Sequence, residues 1–246
     1  MPDEPRLEEQ ALSQVAQIAL STQLDEAEKI DVDVRTDLLK MVQGQADSVS
    51  VAGQGVVMQK DIRVQEMELH MDSVAINPLS AIFGQIELNH PTDATARIVL
   101  TEQDINRALN SDYIRNKMQN LELNVDGQPV TLELQQMKLL LPGGGKMVCN
   151  GKTLLHEMGK TRQLGFTAVS RPRTQSTPVM LEGFNCTEGE GISLEVTVAL
   201  MQKLKELVNL PYFELDDMAL RVKDMEVQEG SLTLHADAHV RQLPST

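Results

Sequence analysis

The segment LELNVDGQPVTLEL, residues 121–134, decides the fold class. Leu121, Leu123 and Val125 alternate with polar residues, Asp126-Gly127 supplies a pair that tolerates positive φ, and Val130, Leu132 and Leu134 alternate again. This is the pattern of an antiparallel hairpin with a tight turn. The same period of two recurs outward in both directions. On the N-terminal side Ile30, Val32 and Val34 oppose Asp31, Asp33 and Arg35, and Ile62, Val64, Met67, Leu69 and Met71 alternate with one slip before Val74 and Ile76. Strands are also expected between Val42 and Val57, with Gly44, Gly53 and Gly55 as turns or bulges, and over Ile86–Leu88 and Ala96–Leu100. On the C-terminal side three or four strands follow from Met137 to about Glu188, broken at Gly143-Gly144-Gly145, at Gly151 or Gly159, and by a polar stretch from Arg171 to Pro178. A last pair, Met218–Val227 and Leu232–Val240, turns at Glu229-Gly230.

Helical spacing interrupts this pattern at few places. Leu7, Ala11, Val15, Ile18 and Ala19 form one apolar stripe ahead of the first strand. A short helical turn is expected over Leu79–Phe83. Thr101, with Asp104 three residues on, is a helix start, and Ile105, Leu109, Ile114 and Met118 supply an apolar side that Ser111-Asp112 divides into two pieces. Ser193–Val208 alternates at its start but ends with Leu200, Leu204, Leu207 and Val208 at helical steps. Strands that follow one another through short turns, without crossover helices, indicate an antiparallel α+β fold. With no linker long enough to separate domains, residues 1–246 read as a single domain.

Composition narrows the function. Lys and Arg total 22 against 36 Asp and Glu, a net charge of −14 that repels polyphosphate and anionic bilayers. Four Phe, two Tyr and no Trp offer few stacking platforms, so nucleic acid is not expected as a partner, and any membrane contact must use aliphatic or Met side chains. The first residues lack the basic and apolar regions of a secretory signal, and no apolar run approaches the roughly 18 residues of a spanning helix. Cys149 and Cys186 stand alone, as in a reducing compartment, which makes the cytoplasm the expected location, with a peripheral place at a membrane allowed. Thirteen Met suit either an ordinary core or a cavity that adapts to acyl chains.

No sequence pattern here carries catalysis. Gly145–Thr153 ends in Gly-Lys-Thr, but its glycines are one residue too far apart to curl around a phosphate, and the second Gly-Lys-Thr at 159–161 has Leu154 in place of the leading glycine. Both are expected to be hairpin turns with an exposed lysine. His235, Asp237 and His239 project from one strand face and could offer metal ligands, yet Leu234, Ala236, Ala238 and Val240 claim the opposite face for the core. That leaves the histidine face to solvent, and neither metal nor cofactor is expected.

The stretch from Asp31 to Tyr113 resembles the LmeA-like phospholipid-binding family, especially its cyanobacterial members. The likeness rests on residues 32–37 (VDVRTD), 42–49 (VQGQADSV), 74–79 (VAINPL) and 100–108 (LTEQDINRA), and the Leu232–Val240 ending fits too. It implies a fold similar to tubular lipid-binding domains, in which a curved antiparallel sheet wraps around or packs on long amphipathic helices and an acyl chain lies between them. Val15, Ile18, Ile105, Leu109, Ile114, Met118, Leu200, Leu204 and Leu207 would then form the lipid-facing wall. The expected activity is non-catalytic binding of a phospholipid or similar amphiphile, with lipid transfer or membrane-lipid homeostasis as roles it allows. The mycobacterial relatives are exported proteins of the cell envelope, whereas no export signal is read here. Two other readings stay open: a protein-interaction module with an apolar surface and no lipid, and an enzyme without a recognisable signature. They differ in whether apolar positions enclose a cavity, form a flat patch, or surround convergent titratable groups.

Overall fold

Among the described residues the strands form two antiparallel sheets, not one. The structure is a computed structural model and describes residues 7–23, 27–58, 62–77, 88–157, 160–188, 192–215 and 218–241. The helical turn expected over Leu79–Phe83 and most of the strand at 86–88 lie outside these residues.

The first sheet has β1 (Lys29–Arg35), β2 (Gln45–Met58), β3 (Ile62–Ala75), β4 (Thr92–Thr101), β10 (Phe213–Leu215), β11 (Met218–Gln228) and β12 (Ser231–Val240), in the order β1-β2-β3-β4-β12-β11-β10. The C-terminal hairpin thus returns to pair with β4, Ala96 opposite Ala236. The second sheet runs in sequence order through β5 (Leu121–Val125), β6 (Gln128–Gly143), β7 (Lys146–Glu157), β8 (Lys160–Arg171) and β9 (Met180–Glu188). Among the described residues five helices accompany them: α1 (Leu7–Gln23), α2 (Leu38–Val42), α3 (Glu102–Leu109), α4 (Asp112–Lys117) and α5 (Leu194–Val208).

Local signals are realised where the chain itself encodes them. Val125 pairs with Gln128, and Asp126 (φ 52°) with Gly127 (φ 83°) makes the two-residue turn with both φ positive. The slip before Val74 is a kink at Ser73 (φ 55°), where Asp72 and Ser73 are exposed in succession and Val74 returns to the core. Thr101 caps α3 by accepting from the Asp104 amide at 3.1 Å, and Ser111 caps α4, dividing the helical stretch where Ser-Asp was read. One reading fails. Gly151-Lys152-Thr153 is no turn but lies within β7, paired on both sides; Gly143-Gly144-Gly145, all at positive φ, makes the β6–β7 turn as expected, and the link from β7 to β8, where the second Gly-Lys-Thr begins, falls on residues 158–159, outside the described residues. Gly151 is there because Phe166 on β8 lies over it: a Cβ at 151 would overlap the ring.

Both sheets leave strand edges open, and helices cover two of them with polar side chains. β5 pairs with β6 over Gln128–Leu132 alone, so the rest of β6 has no strand on that side. There Glu102 Oε2 accepts from the Leu141 amide at 2.7 Å, Asn106 both donates to Leu139 O and accepts from Leu139 N at 2.7 Å, and Asn110 donates to Met137 O at 3.0 Å. Arg115 of α4 reaches Gln135 O at 3.3 Å. Four helical residues rise about 6 Å and two strand residues advance about 6.8 Å, so a polar stripe at i, i+4, i+8 stays in step with alternate strand residues. The same device holds α1 on edge strand β1. Glu9 accepts from Thr36 N (3.2 Å), Ser13 Oγ from Val34 N (3.0 Å), and Gln17 donates to Ile30 O (2.6 Å).

This contact corrects the expected role of the first helix. With Glu9, Ser13 and Gln17 turned to β1, Leu20 and Ala16 reach the core, whereas the stripe Leu7, Ala11, Val15 and Ile18 faces outward. The long amphipathic helices expected to line a sheet are likewise not seen as such: α1 has 17 residues, α5 has 15, and α3 with α4 are pieces of 8 and 6.

Among the described residues three apolar clusters form the core. One belongs to the first sheet (Val32, Leu69, Met71, Ala94, Ala238, Val240) and one to the second sheet and α5. The third, around Leu141, Met147, Val179 and Leu232 with Ile105 and Met225 against it, draws on both sheets and α3. Backbone bonds reinforce that joint: Gly230 N donates to Leu141 O at 2.9 Å and Glu102 N to Gly230 O at 2.8 Å.

Asn106→Leu strips two buried-edge partners from Leu139 and is expected to lower unfolding stability by about 2–4 kcal/mol in urea titration. Gly151→Ala is expected to cost about 1–3 kcal/mol through overlap with Phe166, and Phe166→Leu in the same chain should recover part of that loss.

Candidate functional site

The second sheet encloses a helix. α5 packs against both β5 and β9, the two edge strands, so the sheet curls around it and the helix closes the gap. Ser193 starts α5 by accepting from the Val196 amide at 3.4 Å, which settles as helix the stretch whose first residues alternate like a strand. Val196, Ala199 and Leu200 are buried against Leu123, Val125, Leu132, Leu155, Leu164 and Ala168, and Phe166 stacks on Phe184 at 5.7 Å between ring centres. Cys149 and Cys186 belong to this wall. Burial pushes the Cys149 thiol up to about 11, so it remains a neutral apolar group at physiological pH.

At the start of α5 this packing leaves an opening of about 230 Å³, lined by Leu155, Leu164, Ile192 and Val196, with Arg162 and Gln163 at the polar side. It is smaller than the roughly 300–1,000 Å³ of a small-molecule pocket, and its mainly apolar lining fits part of a chain better than a polar substrate. Among its lining residues, alternation in the sequence marks Leu164 as inward-facing, but nothing local shows that Ile192 and Val196 would meet it from the helix.

The nine wall residues inferred from the family resemblance do not converge. Leu200 is buried in the α5 core and Leu204 packs against it, with Leu207 half-buried one turn on. Ile105 lies at the joint between the sheets, and Leu109, Ile114 and Met118 are half-buried along α3 and α4. Val15 and Ile18 point away from the protein.

Polar side chains gather elsewhere. The outer face of the first sheet holds an open groove of about 670 Å³ that includes His70, Asp93, Thr95, Arg221, Asp237 and His239. His235, Asp237 and His239 share this face, but each has its own partner: Glu226 at 3.4 Å, Lys223 at 2.7 Å and Asp93 at 2.8 Å. Among the described residues no three His, Cys, Asp or Glu side chains are placed to hold a metal. A second groove, about 650 Å³, lies beside α3 and contains Asp104, only 4% exposed. Its carboxylate accepts from Thr101 Oγ1 at 2.6 Å and from Arg63 at 3.1 Å, while Arg63 also binds Glu28 at 2.7 Å. The Glu28 hydrogen bond, with the Asp104 charge, raises the Arg63 pKa. This network ties the chain before β1 to β3 and α3, a structural duty that accounts for the buried charge.

The extended pairing of Gly151–Thr153 within β7 gives that Gly-Lys-Thr no amide cradle for phosphate. Among the described residues no helix is long and apolar enough to cross a membrane. No curated protein and no solved structure matches the chain. A family model described as LmeA-like phospholipid-binding matches residues 4–237 of 246, nearly the whole length, and the chain therefore belongs to that family.

Proposed function

We propose that this protein binds a phospholipid or similar long-chain amphiphile without chemistry, its acyl chain entering between α5 and the five-stranded sheet. The observation that carries this reading is the enclosure of α5 by both edges of the sheet, with an apolar opening at the start of the helix. Leu155, Leu164, Ile192 and Val196 take the first methylenes, and movement of α5 away from β9 extends the slot toward Leu200 and Leu204. Arg162 and Gln163 stand where a headgroup would remain in water. Membership of the family supports lipid as the ligand class. The cluster shared between the sheets supports reading residues 1–246 as one domain, in which the first sheet serves as a rigid frame. Loading and release against a membrane would make the protein a carrier or a sensor of lipid.

Chain length should dominate affinity, because each enclosed methylene contributes about 0.8 kcal/mol and two more give roughly a tenfold gain. Delipidated protein titrated with phospholipids of increasing chain length, below their aggregation threshold, is expected to show that slope and a melting temperature that climbs with ligand. Ile192→Trp, which fills the opening from a half-buried position, is expected to weaken uptake about tenfold or more while the unliganded protein stays folded. Chain-length-independent binding, or none by a folded protein, would sink this reading and favour an interaction module for a protein partner.

A further inference from the structure

The outward stripe on α1 has a shape and a charge pattern that select a partner. Leu7, Val15 and Ile18 are 82%, 61% and 66% exposed, and Ala11 between them is exposed too. They recur at steps of four, four and three residues, which is one continuous row along the helix. The row cannot be turned inward. Rotation of α1 would pull Glu9, Ser13 and Gln17 off the Thr36, Val34 and Ile30 backbone groups that they satisfy on edge strand β1. Thr36, bonded to Glu9, leads directly into α2, so the exposed Leu39 and Val42 lie at the same end of the molecule as Leu7.

The flanks of the row are uncharged. From Gln10 to Leu24 the chain carries no ionisable side chain, and Gln10, Gln14 and Ser21 border the stripe at the surface. No Lys or Arg occurs between Leu7 and Glu28, with Arg6 and Lys29 the next cations in the sequence on either side, whereas that stretch holds five carboxylates, Glu8, Glu9, Asp25, Glu26 and Glu28. An amphipathic helix that seeks anionic lipid presents basic residues on its polar side; one bordered by Ser and Gln, with no Lys or Arg along its own length, gains chiefly from apolar insertion. A protein partner is a poorer match. A stable interface engages about 20–30 residues a side, and this row is a few side chains wide.

We propose that α1 docks the protein on a neutral bilayer surface with loosely packed headgroups, laying Leu7, Val15 and Ile18 between them. This surface is separate from the α5 slot, and docking stands or falls independently of whether a lipid enters there.

The test is co-sedimentation of the full chain with phosphatidylcholine vesicles of small and large diameter, and with the same vesicles containing phosphatidylserine. Strong curvature opens the headgroup layer, so the small neutral vesicles should bind best, and added phosphatidylserine should reduce binding. Val15→Asp with Ile18→Asp, both fully outside the core, is expected to cut binding about tenfold or more for each side chain lost, with melting temperature and chain-length-dependent lipid uptake unchanged. Undiminished binding by that variant, binding that grows with phosphatidylserine, or no binding to any vesicle would overturn the proposal. So would a dimer in sedimentation equilibrium that the variant abolishes, since a second copy would then be the occupant.

Discussion

An open strand edge is a row of amides and carbonyls that must find partners, and in this protein that requirement positions the helices. Backbone groups left bare in a packed region cost about 1–3 kcal/mol each, more than a typical surface contact returns. α3 answers it on β6 with Glu102, Asn106 and Asn110, and α1 answers it on β1 with Glu9, Ser13 and Gln17. In both cases the helix is held by its polar stripe, the reverse of the usual arrangement in which an apolar stripe faces a sheet. The commensurate steps of helix and strand make the repetition possible.

The consequences run through the whole architecture. With α3 fixed on β6, Ile105 is delivered to the cluster that joins the two sheets, and Glu102 and Gly230 complete the backbone link there. With α1 fixed on β1, its apolar row is left on the surface. Edge strands are liabilities for aggregation, and covering β1 removes one while leaving Leu7, Val15 and Ile18 exposed. The third helix of consequence, α5, obeys the ordinary rule: its apolar side is enclosed by the second sheet, and packing leaves an apolar opening at its start.

Charge is distributed to match. The carboxylates and histidines of the first sheet stand on its outer face in cross-strand partnerships such as Arg97 with Glu66 and Glu68, or Lys223 with Asp237. Exposed pairs of this kind contribute little stability, and they keep the outer face of this sheet polar. Apolar side chains come to the surface elsewhere, on α1 and α2, at Leu194 on α5, and at Leu210, Tyr212 and Phe213 leading into β10.

The residues by themselves determined the strand-rich antiparallel class, the Asp126-Gly127 turn, the kink before Val74 and the caps at Thr101 and Ser111, because each rests on a period or a φ preference confined to a few neighbours. They also placed the histidines of β12 on the polar face, since alternation alone assigns sides. What they left undecided was which groups meet across distance. The spacing of Leu7, Val15 and Ile18 announces an apolar stripe, but not that Glu9, Ser13 and Gln17 would be claimed first by β1, and nothing near Gly151 announces the Phe166 ring above it. The division into two sheets, the enclosure of α5 and the opening between Leu164 and Val196 were decided only in the tertiary structure, because strand order and edge satisfaction depend on contacts between residues far apart in the chain.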